Sequence, residues 1–390
     1  MTPKITLFAC FFSLCACTAA SQSVEARAAA TSSGAPVAYV YVSRPTHIDG
    51  FAAAADGRLT PVPGSPFANI AVDDLAVNGK LLLGAGEDQQ DIYAFSIAAN
   101  GSIKPLGYTF THNHDASYDG SCEGESPILT DTTGFSLYIV ENNCDEDGEY
   151  VQSFKIDANG QLTFLGNADT GDLEDSGLLS TPAVLGTDQY TYQTTCNNGS
   201  FEVVALKRET NGSLDGTDIS VQPPTPEDSS DSFCPLNSVA ADGQNHLAMV
   251  GQFGSNPLQL ATFTADSHGN LTTTSTYKNM PVPAVSSASV LSIDPTGKLL
   301  VVGGGGQEVA PSKGFQVFHF NGGNPMTHYT GLLQSNVVFT QFAWDKSNHL
   351  YAFGGSQLRV YTVTPTSLKE APGSPITIPE SSSVIVLPLN

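Results

Sequence analysis

Basic side chains are scarce in this chain. Its 15 Lys and Arg stand against 38 Asp and Glu, a net charge of −23 with a pI near 4.4. Nucleic acid demands a basic footprint for its phosphates, so nucleic acid is excluded as a partner, and so is an anionic lipid surface. Beyond the first twenty residues no apolar run is long enough to span a bilayer. There is no Gly-x-Ser-x-Gly nucleophile elbow. Helical periodicity is almost missing, and the single Trp, Trp344, reads with the Phe residues of alternating strands as core.

What is present is a repeat. From Val290 to Leu333 an apolar run ends in Asp-Pro-Thr-Gly, where Pro sets φ and Gly allows φ > 0. A second apolar run follows, and after a glycine-rich loop (Gly303–Gly306) comes the strictly alternating F-Q-V-F-H-F. The unit then turns through Asn-Gly-Gly-Asn into a weaker fourth strand. The same pattern, an alternating strand, a turn and Gly-x-Leu or a close variant, ends at Leu59, Ile103, Leu162, Leu214 and Leu271. Phe315–Met326 is the sixth copy, and Val360–Leu368 the seventh, with its Gly lost. A period of about 43 to 59 residues with four strands per unit predicts an all-β, seven-bladed β-propeller of four-stranded antiparallel blades. Blade one then lacks an innermost strand, and Ser383–Leu387 near the C-terminus is expected to supply it, closing the ring and removing open edges.

Residues 1–20 read as a signal peptide, Lys4 preceding the apolar run Ile5–Cys17. Leu14-Cys15-Ala16-Cys17 resembles a lipoprotein box with Cys17 as the lipidated residue, and cleavage after Ala19 or Ala20 is the alternative. Residues 21–36 would be a flexible tether and 37–390 a single propeller. The expected location is therefore periplasmic or cell-surface, attached to a bacterial membrane through an N-terminal lipid anchor alone, with the protein a monomer.

Four cysteines remain outside the targeting segment, an even number in an oxidising compartment. Loops between blades and loops between second and third strands share one face of a propeller. On that ground Cys122 is expected to pair with Cys144 within a blade, and Cys196 with Cys234 between neighbouring blades.

The same loop-bearing face carries the candidate chemistry. Thr111–Ser126 holds His112, His114 and Glu125, where a His beside a carboxylate could act as general base on water or ligate a metal. Glu141–Tyr150 places Asp145, Asp147 and Glu149 around a Gly, loosely like a calcium loop but without its twelve-residue pattern. Both segments read equally as solvated polar loops, and a calcium ion is the one cofactor they suggest. Arg44 and His47, in S-R-P-T-H-I, are the basic pair on that face, able to meet a carboxylate or simply to flank a turn set by Pro45. Arg58 and Arg208 fall at turns on the opposite face and Arg359 in a strand.

Four segments carry a resemblance: A-Y-V-Y-V-S near the start, G-R-L-T-P-V-P-G-S-P-F at 57–67, I-D-P-T-G-K-L-L-V-V at 293–302 and K-E-A-P-G-S-P-I at 369–376. With them the chain resembles the seven-bladed lactonase family, the propellers related to 6-phosphogluconolactonase and carboxymuconate cycloisomerase. That resemblance implies ester hydrolysis of a small lactone in a polar cleft on the loop-bearing face. The family's His-Pro-His element has no counterpart here, and arginines suited to a phosphate are few. The expected substrate is therefore a neutral or sugar-derived lactone rather than a phosphorylated one. The alternative is a non-catalytic module that binds a protein or carbohydrate, since propellers host both.

Overall fold

The computed structural model describes residues 34–68, 71–86, 91–111, 127–141, 150–169, 183–197, 200–225, 239–251, 257–285, 288–304, 313–381 and 383–389. Within them seven antiparallel sheets follow one another along the chain, each ordered from an innermost to an outermost strand. The innermost strands are Asp74–Asn78, Ile128–Thr130, Ala183–Val184, Val239–Ala241, Ala288–Ile293, Gln341–Trp344 and, from the far end of the chain, Val384–Pro388. The molecule is the seven-bladed β-propeller that the repeat predicts.

Closure occurs where it is expected. Val384–Pro388 pairs antiparallel with Ala38–Arg44, Val40 opposite Val386. Side chains stitch this strand to both neighbouring blades. Val384 N donates to Gln341 Oε1 of blade seven (2.6 Å), and Ser383 Oγ donates to Asp74 Oδ1 of blade two (2.6 Å). Asp74 Oδ2 in turn accepts from Ile128 N of blade three at 2.9 Å.

Seven apolar clusters fill the seven gaps between blades, so the core is a ring of interfaces. The cluster between blades five and six, for example, joins Leu260 and Val250 to Leu300 and Phe318. Second strands are sandwiched on both faces: Leu81–Ala85, Leu299–Gly304 and His349–Gly354 are buried at every position. That is why they read as continuous apolar runs. Outermost strands are solvated, as Ile103–Phe110 shows with only its first residue buried.

The repeated Gly-x-Leu also has a tertiary cause. Gly57, Gly101, Gly160, Gly212, Gly269 and Gly322 all sit at positive φ, between 61° and 94°, where side chains are strained. Each turn also presses on the preceding blade. A Cβ at Gly101 would come within 2.5 Å of Tyr39, and one at Gly269 within 2.5 Å of Tyr190. Hydroxyls of the preceding blade then bond the same glycines: Tyr41 Oη to Gly101 O at 2.9 Å and Tyr192 Oη to Gly269 O at 2.7 Å.

The two Gly-Ser-Pro elements likewise share one job. After a short outermost strand, Phe67–Ala68 and Ile376–Thr377 return to pair with the third strand of their own blades. Ser65 Oγ and Ser374 Oγ accept from the third-strand amides of Gly50 and Val360, at 2.9 and 3.0 Å. They are blade-edge devices.

Candidate functional site

His112, His114, Glu125, Asp145, Asp147 and Glu149, expected on the loop-bearing face, lie outside the described residues, as do Cys17, Cys122, Cys144 and Cys234. Cys196 falls in the second strand of blade four, Tyr190–Asn197, in register with Phe201.

Arg44 and His47 are placed. They close the hairpin between Ala38–Arg44 and His47–Ala53 as register partners, and both turn onto one carboxylate. Arg44 Nη1 lies 3.5 Å and His47 Nε2 3.7 Å from Asp49 Oδ2. The other ring nitrogen, Nδ1, is 3.0 Å from Thr46 Oγ1. The basic pair is thus largely occupied by its own hairpin. The same holds for every arginine among the described residues. Arg58 pairs with Asp56, Arg208 with Asp131 and Asp188, and Arg359 with Glu370. Arg208 lies on the face opposite the loops, as expected, and locks blade four to buried Asp131 of blade three at 2.8 Å.

That opposite face is organised by aspartates at the turn from innermost to second strand. In blade three Asp131 accepts from the backbone N–H groups of Phe135 and Ser136, and in blade six Asp294 accepts from those of Thr296, Lys298 and Leu299. Blades five and seven extend the device with a histidine four residues on. Asp242 Oδ1 accepts from Gln244 N and His246 N, and its Oδ2 lies 2.7 Å from His246 Nδ1. Asp345 Oδ1 accepts from Ser347 N and His349 N, and its Oδ2 lies 2.8 Å from His349 Nδ1.

Only their surroundings differ. Tyr351 Oη adds a 2.8 Å bond to Asp345 Oδ2 in blade seven, and the position two residues past the histidine in blade five is Ala248. Burial alone would raise the Asp345 carboxyl, but the bonds from His349 and Tyr351 outweigh it and hold it below its ordinary value. In blade five His246 instead lines an open cleft of about 580 Å³ between blades five and six, a volume within the range of small-molecule sites. Lys298 and Thr296 come from the neighbouring turn, Thr264 from the third strand of blade five, and Gly322 and Asn324 from the outer turn of blade six. Reading residue types alone missed this cleft. The shared spacing Asp-x-x-Asn-His at 242–246 and 345–349 marks the turn, but nothing local tells which copy opens to solvent. Among the described residues no cluster of three or more His, Cys, Asp or Glu is arranged to hold a metal ion.

No protein-family model matches the chain, and no curated protein matches it in sequence. Solved structures do match its fold. The Pseudomonas aeruginosa periplasmic gluconolactonase superposes with a TM-score of 0.66 at 12% identity, over 90% of this chain and 99% of its own. A Bacteroides fragilis protein that carries 6-phosphogluconolactonase as a provisional name gives 0.63 at 13%, over 90% and 98%. A Lactobacillus plantarum protein gives 0.62 at 14%, over 90% and 99%. At such identities the likeness is one of fold: the seven-bladed propeller is shared over 90% of the chain.

Proposed function

We propose that the chain is an exported lactonase-like hydrolase that opens a small neutral or sugar-derived lactone. The observation that carries this reading is the end-to-end match to a propeller named as a periplasmic gluconolactonase. Local chemistry narrows the substrate. A phosphorylated lactone calls for free guanidinium groups able to grip phosphate in pairs, and each arginine among the described residues already has a carboxylate. A neutral lactone makes no such demand.

In this reading His112 or His114, steered by Glu125, takes a proton from the attacking water on the loop-bearing face. Asp145, Asp147 and Glu149 would hold calcium if an ion assists. A lipid on Cys17 would keep the enzyme at the membrane, and Cys122–Cys144 and Cys196–Cys234 would brace the loops. The engagement of Arg44 and His47 by Asp49 favours the second reading, a non-catalytic propeller that binds a protein or carbohydrate.

Hydrolysis assays on the purified protein decide between them. Sugar, homoserine and aliphatic lactones would be presented beside 6-phosphogluconolactone, with calcium and with chelator. Turnover of neutral lactones, lost in His112→Ala or His114→Ala while the fold survives, is the expected result. A cooperatively folded protein inert to the whole panel would establish the binding module instead.

A further inference from the structure

The cleft between blades five and six lies on the face away from the loops and takes no part in the proposed hydrolysis. Its acids are already spent. Both Asp242 oxygens are consumed by its own turn, through Gln244 N, His246 N and His246 Nδ1. Asp294 is consumed in the same way by Thr296, Lys298 N and Leu299 N. What remains toward the cleft is one ammonium and a set of neutral hydrogen-bonding groups.

Lys298 is exposed, and among the described residues no carboxylate pairs with its ammonium, unlike Lys207, which is held by Glu209. The His246 ring has Nδ1 taken by Asp242, so Nε2 is its remaining hydrogen-bonding atom. The Thr264 hydroxyl and Asn324 stand on the same walls. The mouth is held open by glycine. Gly322 abuts the His246 ring, where a Cβ would come within 3.0 Å, and Gly323 abuts Thr264 Oγ1. Thr274 Oγ1 pins that glycine turn through Gly323 O at 3.1 Å. In a chain of net charge −23, this recess presents an ammonium that no carboxylate pairs among the described residues.

We propose that this cleft binds a small organic carboxylate, held by the Lys298 ammonium, with hydroxyl groups of the ligand meeting His246 Nε2, Thr264 and Asn324. One ammonium matches a single negative charge. A phosphate dianion would be better served by paired guanidinium contacts, and no arginine lines the cleft. The charged side chains beside His246 here are Asp242 on its own turn and Lys298 on the neighbouring blade's turn. The inference is independent of the lactonase reading and survives its failure.

Isothermal titration of the full chain with sodium gluconate tests it, against glucose as the neutral analogue and inorganic phosphate as the alternative anion. Gluconate should bind more tightly than either. The exposed Lys298→Ala variant should bind about tenfold more weakly, the loss of one charged hydrogen bond. Lys298→Ala should leave any lactone turnover unchanged, which separates this cleft from the loop face. Unaltered affinity in Lys298→Ala, equal binding of glucose, tighter binding of phosphate, or no binding of gluconate would each overturn the proposal.

Discussion

In blade seven the Asp345 and His349 side chains are 0 and 4% exposed, whereas the equivalent Asp242 and His246 of blade five are 6 and 22% exposed. The turns are alike to the individual backbone bond, so the difference comes from what packs around them. Against His349 the ring closes with Gly57, and Ala371 and Val360 lie about that turn. Against His246 it presents Gly322 and Gly323, which fill nothing beyond the backbone. Tyr351 caps the Asp345 carboxylate with its hydroxyl, and Ala248 cannot do so for Asp242. One motif thus serves as a buried latch in one interface and as the wall of a recess in another.

The comparison can be broken most directly at the carboxylates. Asp345→Ala strands a buried histidine, a tyrosine hydroxyl and two backbone amides, and should lower unfolding free energy by about 3–5 kcal/mol. Asp242→Ala, beside solvent, should lose about 1–2 kcal/mol. Chemical denaturation of the two variants measures both, and equal losses would mean that burial does not distinguish the turns. Tyr351→Phe keeps the ring and deletes only the bond to Asp345, so it should lose about 1.5 kcal/mol or slightly more, read in the same way.

The subtlest effect is on pH. Because the folded Asp345 carboxyl lies below its ordinary value of 3.8, its contribution is fully present above that value. It is lost as pH falls through the depressed one, where the folded state must take up a proton it resists. Asp345→Asn should therefore be less stable at neutral pH yet show a shallower acid limb below about pH 4. An acid limb as steep as that of the wild type would assign the sensitivity to other carboxylates.

Much of the architecture was legible because it is written locally. Period-two alternation in F-Q-V-F-H-F, apolar second strands and the recurring turn glycine each follow from one hairpin's geometry. The closing strand was legible for a global reason, since a first blade short of an innermost strand leaves an edge that something must cover. The candidate site was less legible. Arg44 and His47 looked like a free basic pair, but the acid that occupies them, Asp49, sits one side chain along the same strand face. The resemblance to lactonase propellers rested on Gly-Ser-Pro elements that prove to bind third-strand amides, so their spacing speaks of blade edges rather than of a substrate.

By itself the sequence determined the number of blades, their strand order and the ring's closure, because hydrophobic period and turn chemistry act within a few residues. It also determined the scarcity of free cations, which is a matter of composition. Tertiary structure alone decided why each repeat glycine is required, since the Cβ it lacks would strike a side chain of the preceding blade. It alone decided which Asp-x-x-Asn-His turn is sealed and which is open. The first outcome depends on the face a neighbouring blade presents, more than fifty residues away along the chain, and the second on contacts such as that of Tyr351 with Asp345 that form only once the strands pack.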